Sequence, residues 1–217
     1  MIRKTKQMKL SKKLSFPFLI ILVTILVSCS ANRFTLKEKR IIKRKSANNI
    51  MPLMFVTNHQ DSIVLYKKSK NIKPDSTNKY LTTFINRMYA TVRDPENPGV
   101  GIAAPQLGIN KRIIWVQRFD KAEQPFEVYL NSKIVYYSES KSEGGEGCLS
   151  IPGYRGFVNR SDTIVINYDF LNQTNLTDTI SGFSSVIFQH EIDHLEGILY
   201  TDRIKDKSKI TKFEKGN

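Results

Sequence analysis

The clearest hydrophobic pattern lies between positions 75 and 93. Leu81, Phe84, Ile85, Met88, Tyr89 and Val92 recur at spacings of three and four, the stripe of an amphipathic helix. Ser76 or Asn78 is placed to cap it, and Asp94-Pro95-Glu96-Asn97-Pro98-Gly99 ends it with two prolines. Arg112–Arg118 and Phe126–Tyr137 are rich in β-branched and aromatic residues and predict strands. Thr163–Phe170 and Asn175–Ile180 flank a short polar turn and predict a hairpin. Phe183–Glu196 predicts a second helix, with Gly197 where a C-terminal cap belongs. Strands and helices do not alternate in a regular βαβ order, so the class is α+β.

Composition places this pattern in one ordinary domain with room for an extra segment. The chain has 217 residues, 40% hydrophobic and 25% charged. Two cysteines, Cys29 and Cys148, exclude a disulfide framework. A net charge of +14 would point to nucleic acid were it spread over the body. It is not: residues 1–50 hold 13 Lys and Arg against the single acid Glu38, and the rest holds 21 basic and 19 acidic residues. A nearly neutral body argues against a nucleic-acid partner.

The charged start has its own layout. Six basic residues within positions 1–13 precede an apolar run at 14–27, then Ser28 and Cys29. This is the order of an export signal, and the run is shorter than the roughly 20 residues that span a bilayer as a helix. Leu26-Val27-Ser28-Cys29 resembles the bacterial lipoprotein box, which implies that residues 1–28 are removed and Cys29 is lipidated. Residues 29–50 then form a basic linker, a tether lying along anionic headgroups or simply solvated. The Lys-rich stretch 206–217 is expected to be a tail.

The chemistry concentrates in a few short stretches. His190-Glu191-Ile192-Asp193-His194 is H-E-x-x-H on the second helix, where positions i and i+4 share a face. Two imidazoles so placed bind one metal ion, and the intervening Glu191 reaches a metal-bound water as general base. A third ligand is needed, and the residues alone leave it open. Tyr200 stands where a metzincin-type pattern wants His, Glu214 lies near the chain end, and Cys148 sits among Gly144, Gly145 and Gly147, expected to be an irregular loop. Arg155 is a candidate partner for substrate or for Glu146, and His59 in a polar run reads as a surface residue.

Three stretches together carry a resemblance. Gly99-Val100-Gly101-Ile102-Ala103-Ala104-Pro105-Gln106 resembles the first signature of peptide deformylases, Glu146-Gly147-Cys148-Leu149-Ser150 the second, and Gln189-His190-Glu191-Ile192-Asp193-His194 the third, in order and at the family's spacing. Asp61 to Ser69 is a weaker echo, without the family's Pro and Arg, and the likeness extends over residues 51–205.

The resemblance implies a catalytic domain over 51–205, with antiparallel sheets around a central H-E-x-x-H helix. It implies removal of the N-formyl group from N-formylmethionyl peptides, releasing formate. Cys148, His190 and His194 would hold one divalent ion, ferrous iron first and zinc second, with water as fourth ligand. Glu191 would move the proton, while the Gln106 amide and the Leu149 N–H bind the oxyanion. Val100 and Gly101 fall at substrate positions, and Val100, Phe183, Val186 and Ile187 would line a pocket for the Met side chain. The expected partners are formylated peptides and, through the N-terminus, membrane lipid. Function and address pull apart, because nascent formyl-Met is cytosolic. The leader implies an anchored enzyme outside the cytosol, or an exported lipoprotein that binds formyl peptides without catalysis, whereas a start at Met51 gives a cytoplasmic enzyme.

Overall fold

A computed structural model of the chain describes residues 33–44 and 46–212. The expected signal at 1–28, Cys29 and Glu214 lie outside the described residues. In chain order the elements are α1 (Leu36–Lys43), α2 (His59–Leu65), α3 (Lys79–Val92), β1 (Gly101–Ala103), a 3₁₀ turn (Ala104–Leu107), β2 (Ile113–Gln117), β3 (Phe126–Tyr137), β4 (Lys141–Cys148), β5 (Ile151–Ser161), β6 (Thr163–Asp169), β7 (Leu176–Ser181), α4 (Gly182–Glu196), α5 (Tyr200–Arg203) and β8 (Ile210–Lys212). β1-β2-β3-β6-β7 form one antiparallel sheet and β4-β5-β8 another. The α+β expectation therefore holds.

The five-stranded sheet buries both faces, and strand alternation sorts its residues between them. Ile102, Ile113 and Leu130 pack with Leu81, Phe84 and Met88 of α3. Their neighbours Ala103, Ile114 and Tyr129 pack with Ile187, Phe188, Ile192 and Leu195 of α4. α4 is buried along most of its length. Its first turn sits beside a charged knot in which the buried Arg118 guanidinium bonds Asp120 (2.7 and 2.8 Å), Asp178 (2.8 Å) and the Tyr129 hydroxyl (2.6 Å). The Asp120 N–H in turn donates to Ser184 Oγ on α4 (3.2 Å).

That knot carries a pH prediction. Hydrogen bonds from Arg118 hold the Asp120 carboxyl down to about 2. A carboxyl lower in the folded than in the unfolded chain stabilises above its unfolded value of roughly 4 and loses that contribution as pH falls. Asp120→Asn should therefore lower Tm near neutrality, and its gap to the parent should close as pH falls from about 4 towards 2. Thermal melts of both proteins across that range check it.

Three expectations are corrected. Within the expected linker 29–50, the described residues 34–44 are not a free tether. Thr35 caps α1 in a capping box with Glu38, Phe34 and Ile42 are buried in the α3 core, and the Phe34 ring meets Phe84 edge-on. Gly144, Gly145 and Gly147 lie in a strand paired with β5, the irregularity being a register shift between Gly147 and Cys148. In the expected tail, Ile210–Lys212 pairs with β5 as β8. Elsewhere Asn78 rather than Ser76 caps α3, and Gly197 takes the left-handed conformation (φ 75°) that ends α4.

Candidate metal centre

His190 and His194 project from α4 and Cys148 ends β4. Their ligand atoms all lie within 4.8 Å of one another. Cys148 Sγ is 3.3 Å from His194 Nε2, a spacing that one ion bonded to both would impose. His190 Nδ1 lies 2.7 Å from Glu146 Oε2, so this nitrogen carries the proton and Nε2 is left for a metal. His194 Nδ1 is buried without a partner among the described residues. One sulfur and two imidazoles suit iron or zinc, so the residues present fit the group that the motif calls for.

A buried ionic chain holds this set in place. Arg160 on β5 donates to both Glu146 oxygens (2.7 and 3.0 Å) and to Asp193 Oδ2 (2.6 Å), and Arg203 on α5 also grips Asp193. The chain ties the three-stranded sheet to α4. Despite burial, the His190 and Arg160 partners hold the Glu146 carboxyl down to about 2, so it stays an acceptor. Gln189 adds a second tie, accepting from Ser161 N–H (3.1 Å) and donating to Ser161 O (2.9 Å). Arg160, which the sequence does not single out, takes the Glu146 carboxylate, and Arg155 lines the cleft, which leaves it the substrate alternative. His59 is exposed at the start of α2, as expected.

The first motif meets the other two from the opposite side. Gln106 Oε1 accepts from Ala103 N–H (2.8 Å), and its Nε2 is 3.5 Å from Cys148 Sγ and 3.4 Å from Ser150 Oγ. Residues just after Met51 join these loops: Met54 N–H donates to Gln106 O (2.8 Å) and Val56 N–H to Ser150 O (3.1 Å). Leu149 sits in the turn after β4. Val100, Gly101, Phe183, Val186 and Ile187 line, with Gln106, Cys148, Leu149, His190 and Glu191, a cleft of about 680 Å³. Val100 and Phe183 are exposed there, so they are not core packing.

Glu191 is buried with Oε2 unpartnered among the described residues, and burial pushes its carboxyl up to about 7. Gly101 makes room for it. A Cβ at Gly101 would stand 2.5 Å from Glu191 Oε1 and 2.8 Å from Ile187 Cγ2. Gly101→Ala should therefore displace the carboxylate and lower kcat/KM by about 10²-fold, the cost of a misplacement near 1 Å, with metal content unchanged. Steady-state kinetics with metal analysis checks this.

Fold and site together define a hydrolase of the H-E-x-x-H kind, with a cysteine in place of the usual third ligand and an open cleft over the metal position. Residues 53–210 match the family model for polypeptide deformylase. The peptide deformylase of Finegoldia magna is 36% identical over 145 residues, 67% of this chain and 86% of that protein. That of Christiangramia forsetii is 36% identical over 172 residues, 70% of this chain and 86% of that protein. Among solved structures, a class I type b peptide deformylase from Acinetobacter baumannii superposes with a TM-score of 0.64 at 33% identity, covering 71% of this chain and 99% of that one. The chain belongs to the peptide deformylase family.

Proposed function

We infer that the protein hydrolyses the N-formyl group of N-formylmethionyl peptides, releasing formate. The observation that carries this is the convergence of Cys148, His190 and His194, with Cys148 and His190 lining one open cleft together with Glu191 and Gln106. A divalent ion bound there supplies Lewis acidity, acidifying water and polarising a carbonyl oxygen. Ferrous iron is our first assignment for this donor set and zinc the second.

The chain's own residues do the rest. Glu191 accepts the proton of the attacking water and returns it to the departing amine nitrogen, as a buried carboxyl beside the ligand His190, with one oxygen unpartnered among the described residues, is placed to do. Gln106 Nε2 and the Leu149 N–H donate to the developing oxyanion without bringing a charge that repels the cation. β1 is an edge strand, so Val100 and Gly101 can pair a peptide as an added strand. Val100, Phe183, Val186 and Ile187 receive the Met side chain. The Acinetobacter baumannii deformylase is also known with Met-Ala-Ser bound, which makes formyl-Met-Ala-Ser the natural probe. Metal-loaded protein should release formate from it and leave acetyl-Met-Ala-Ser intact; no formate from loaded protein would refute the reading. A zincin-type protease needs a non-cysteine third ligand, and Cys148 fills that position.

For its address we propose a lipoprotein acylated at Cys29 and held outside the cytosol, a reading that rests on the order of basic start, apolar run and Ser28-Cys29. The packing of Phe34 and Ile42 favours translation upstream of Met51 over a start at that residue. Tryptic mass spectrometry of native membranes tests this: an acylated peptide beginning at Cys29 is expected, and an N-terminus at Met51 would overturn it.

A further inference from the structure

We propose that the outward face of α1 docks electrostatically on anionic lipid headgroups. The helix has a fixed inside and outside. Inside, Ile42 is buried, Phe34 packs on Phe84, and Arg87 of α3 donates to Ile42 O (2.8 Å), Asn49 O (3.1 Å) and Ser46 Oγ (2.7 Å). Lys39 and Lys43 lie over the Tyr80 ring at 5.0 and 5.2 Å, which stops the helix turning about its axis.

Outside stand Arg33, Lys37, Arg40 and Arg44, exposed and without an ion pair among the described residues. Residues 33–50 hold seven Lys and Arg and one acid, Glu38, whose carboxylate is already occupied by the Thr35 N–H. The remainder of the chain to residue 217 is nearly neutral, so this is a local patch rather than a general field. Basic side chains near an anionic leaflet contribute to membrane attraction one by one.

Chain length and layering fit that partner. Six residues separate Cys29, the proposed acylation site, from α1, a reach of at most roughly 20 Å. A membrane that holds a lipid on Cys29 therefore lies within reach of the patch. α1 belongs to the α3 layer, whereas His190 and His194 belong to α4 on the other face of the sheet. Docking through α1 thus leaves the cleft to peptides. The proposal stands whether or not Cys29 is acylated.

The test uses the unacylated chain from Ser30 onward, which contains every described core residue, with formate release followed in parallel. Flotation is measured with vesicles of phosphatidylcholine alone and mixed with phosphatidylglycerol. Binding to the mixed vesicles and its loss at high salt are expected. The triple variant Lys37→Gln, Arg40→Gln, Arg44→Gln should bind them roughly a hundredfold more weakly, with Tm and formate release unchanged. Equal binding to both vesicles, retention by the triple variant, or capture by duplex RNA but not by vesicles would overturn the proposal.

Discussion

Glu191→Gln should lower kcat for formate release by about 10³-fold, within the range that a positioned general base contributes, and should leave one metal ion bound per chain. The substitution keeps shape and removes the proton acceptor. Glu191 is not one of the three converging ligands, so metal content separates loss of proton transfer from loss of the site. KM should change little, because the carboxyl is buried at the cleft floor and acts on the water more than on the peptide. Activity within tenfold of the parent (about 1.4 kcal/mol on the barrier) would mean another group takes the proton.

The second large effect lies far from the chemistry. Arg87→Met should cost about 3 kcal/mol, roughly 6–12 °C in Tm for a domain of this size. The guanidinium satisfies the carbonyls of Ile42 and Asn49 and the Ser46 hydroxyl, and methionine leaves these half-buried acceptors without a donor. A chain starting at Met51 should fall at least as far. It loses Phe34 and Ile42, worth up to roughly 1.5–3 kcal/mol each, and uncovers Phe84. Its activity below the new Tm should survive, because the residues joining Gln106 to Ser150 come after Met51. Equal melting of the shortened and full chains would show that the N-terminal segment is not part of the fold.

What the sequence exposes depends on how locally each feature is encoded. α4 was legible because apolar spacing, motif and Gly197 agree within one stretch, and β3 matched its expected limits because β-branched and aromatic residues fill it. The three metal ligands were legible only through combined motifs, since Cys148 alone is an ordinary half-buried thiol. The β4–β5 hairpin was hidden because glycines carry no alternating pattern, and Arg160 was hidden with it, its pairing with Glu146 depending on strand register. α1 was masked by its charge. Its apolar side is small and faces α3, yet the Thr35-Leu36-Lys37-Glu38 capping box was readable as a helix start.

X-ray absorption at the edge of the bound metal tests the central claim most directly. The loaded protein should show one sulfur and two imidazole nitrogens around the ion, and Cys148→Ala should remove the sulfur signal together with formate release. A spectrum with no sulfur neighbour, in protein that still releases formate, would contradict the account.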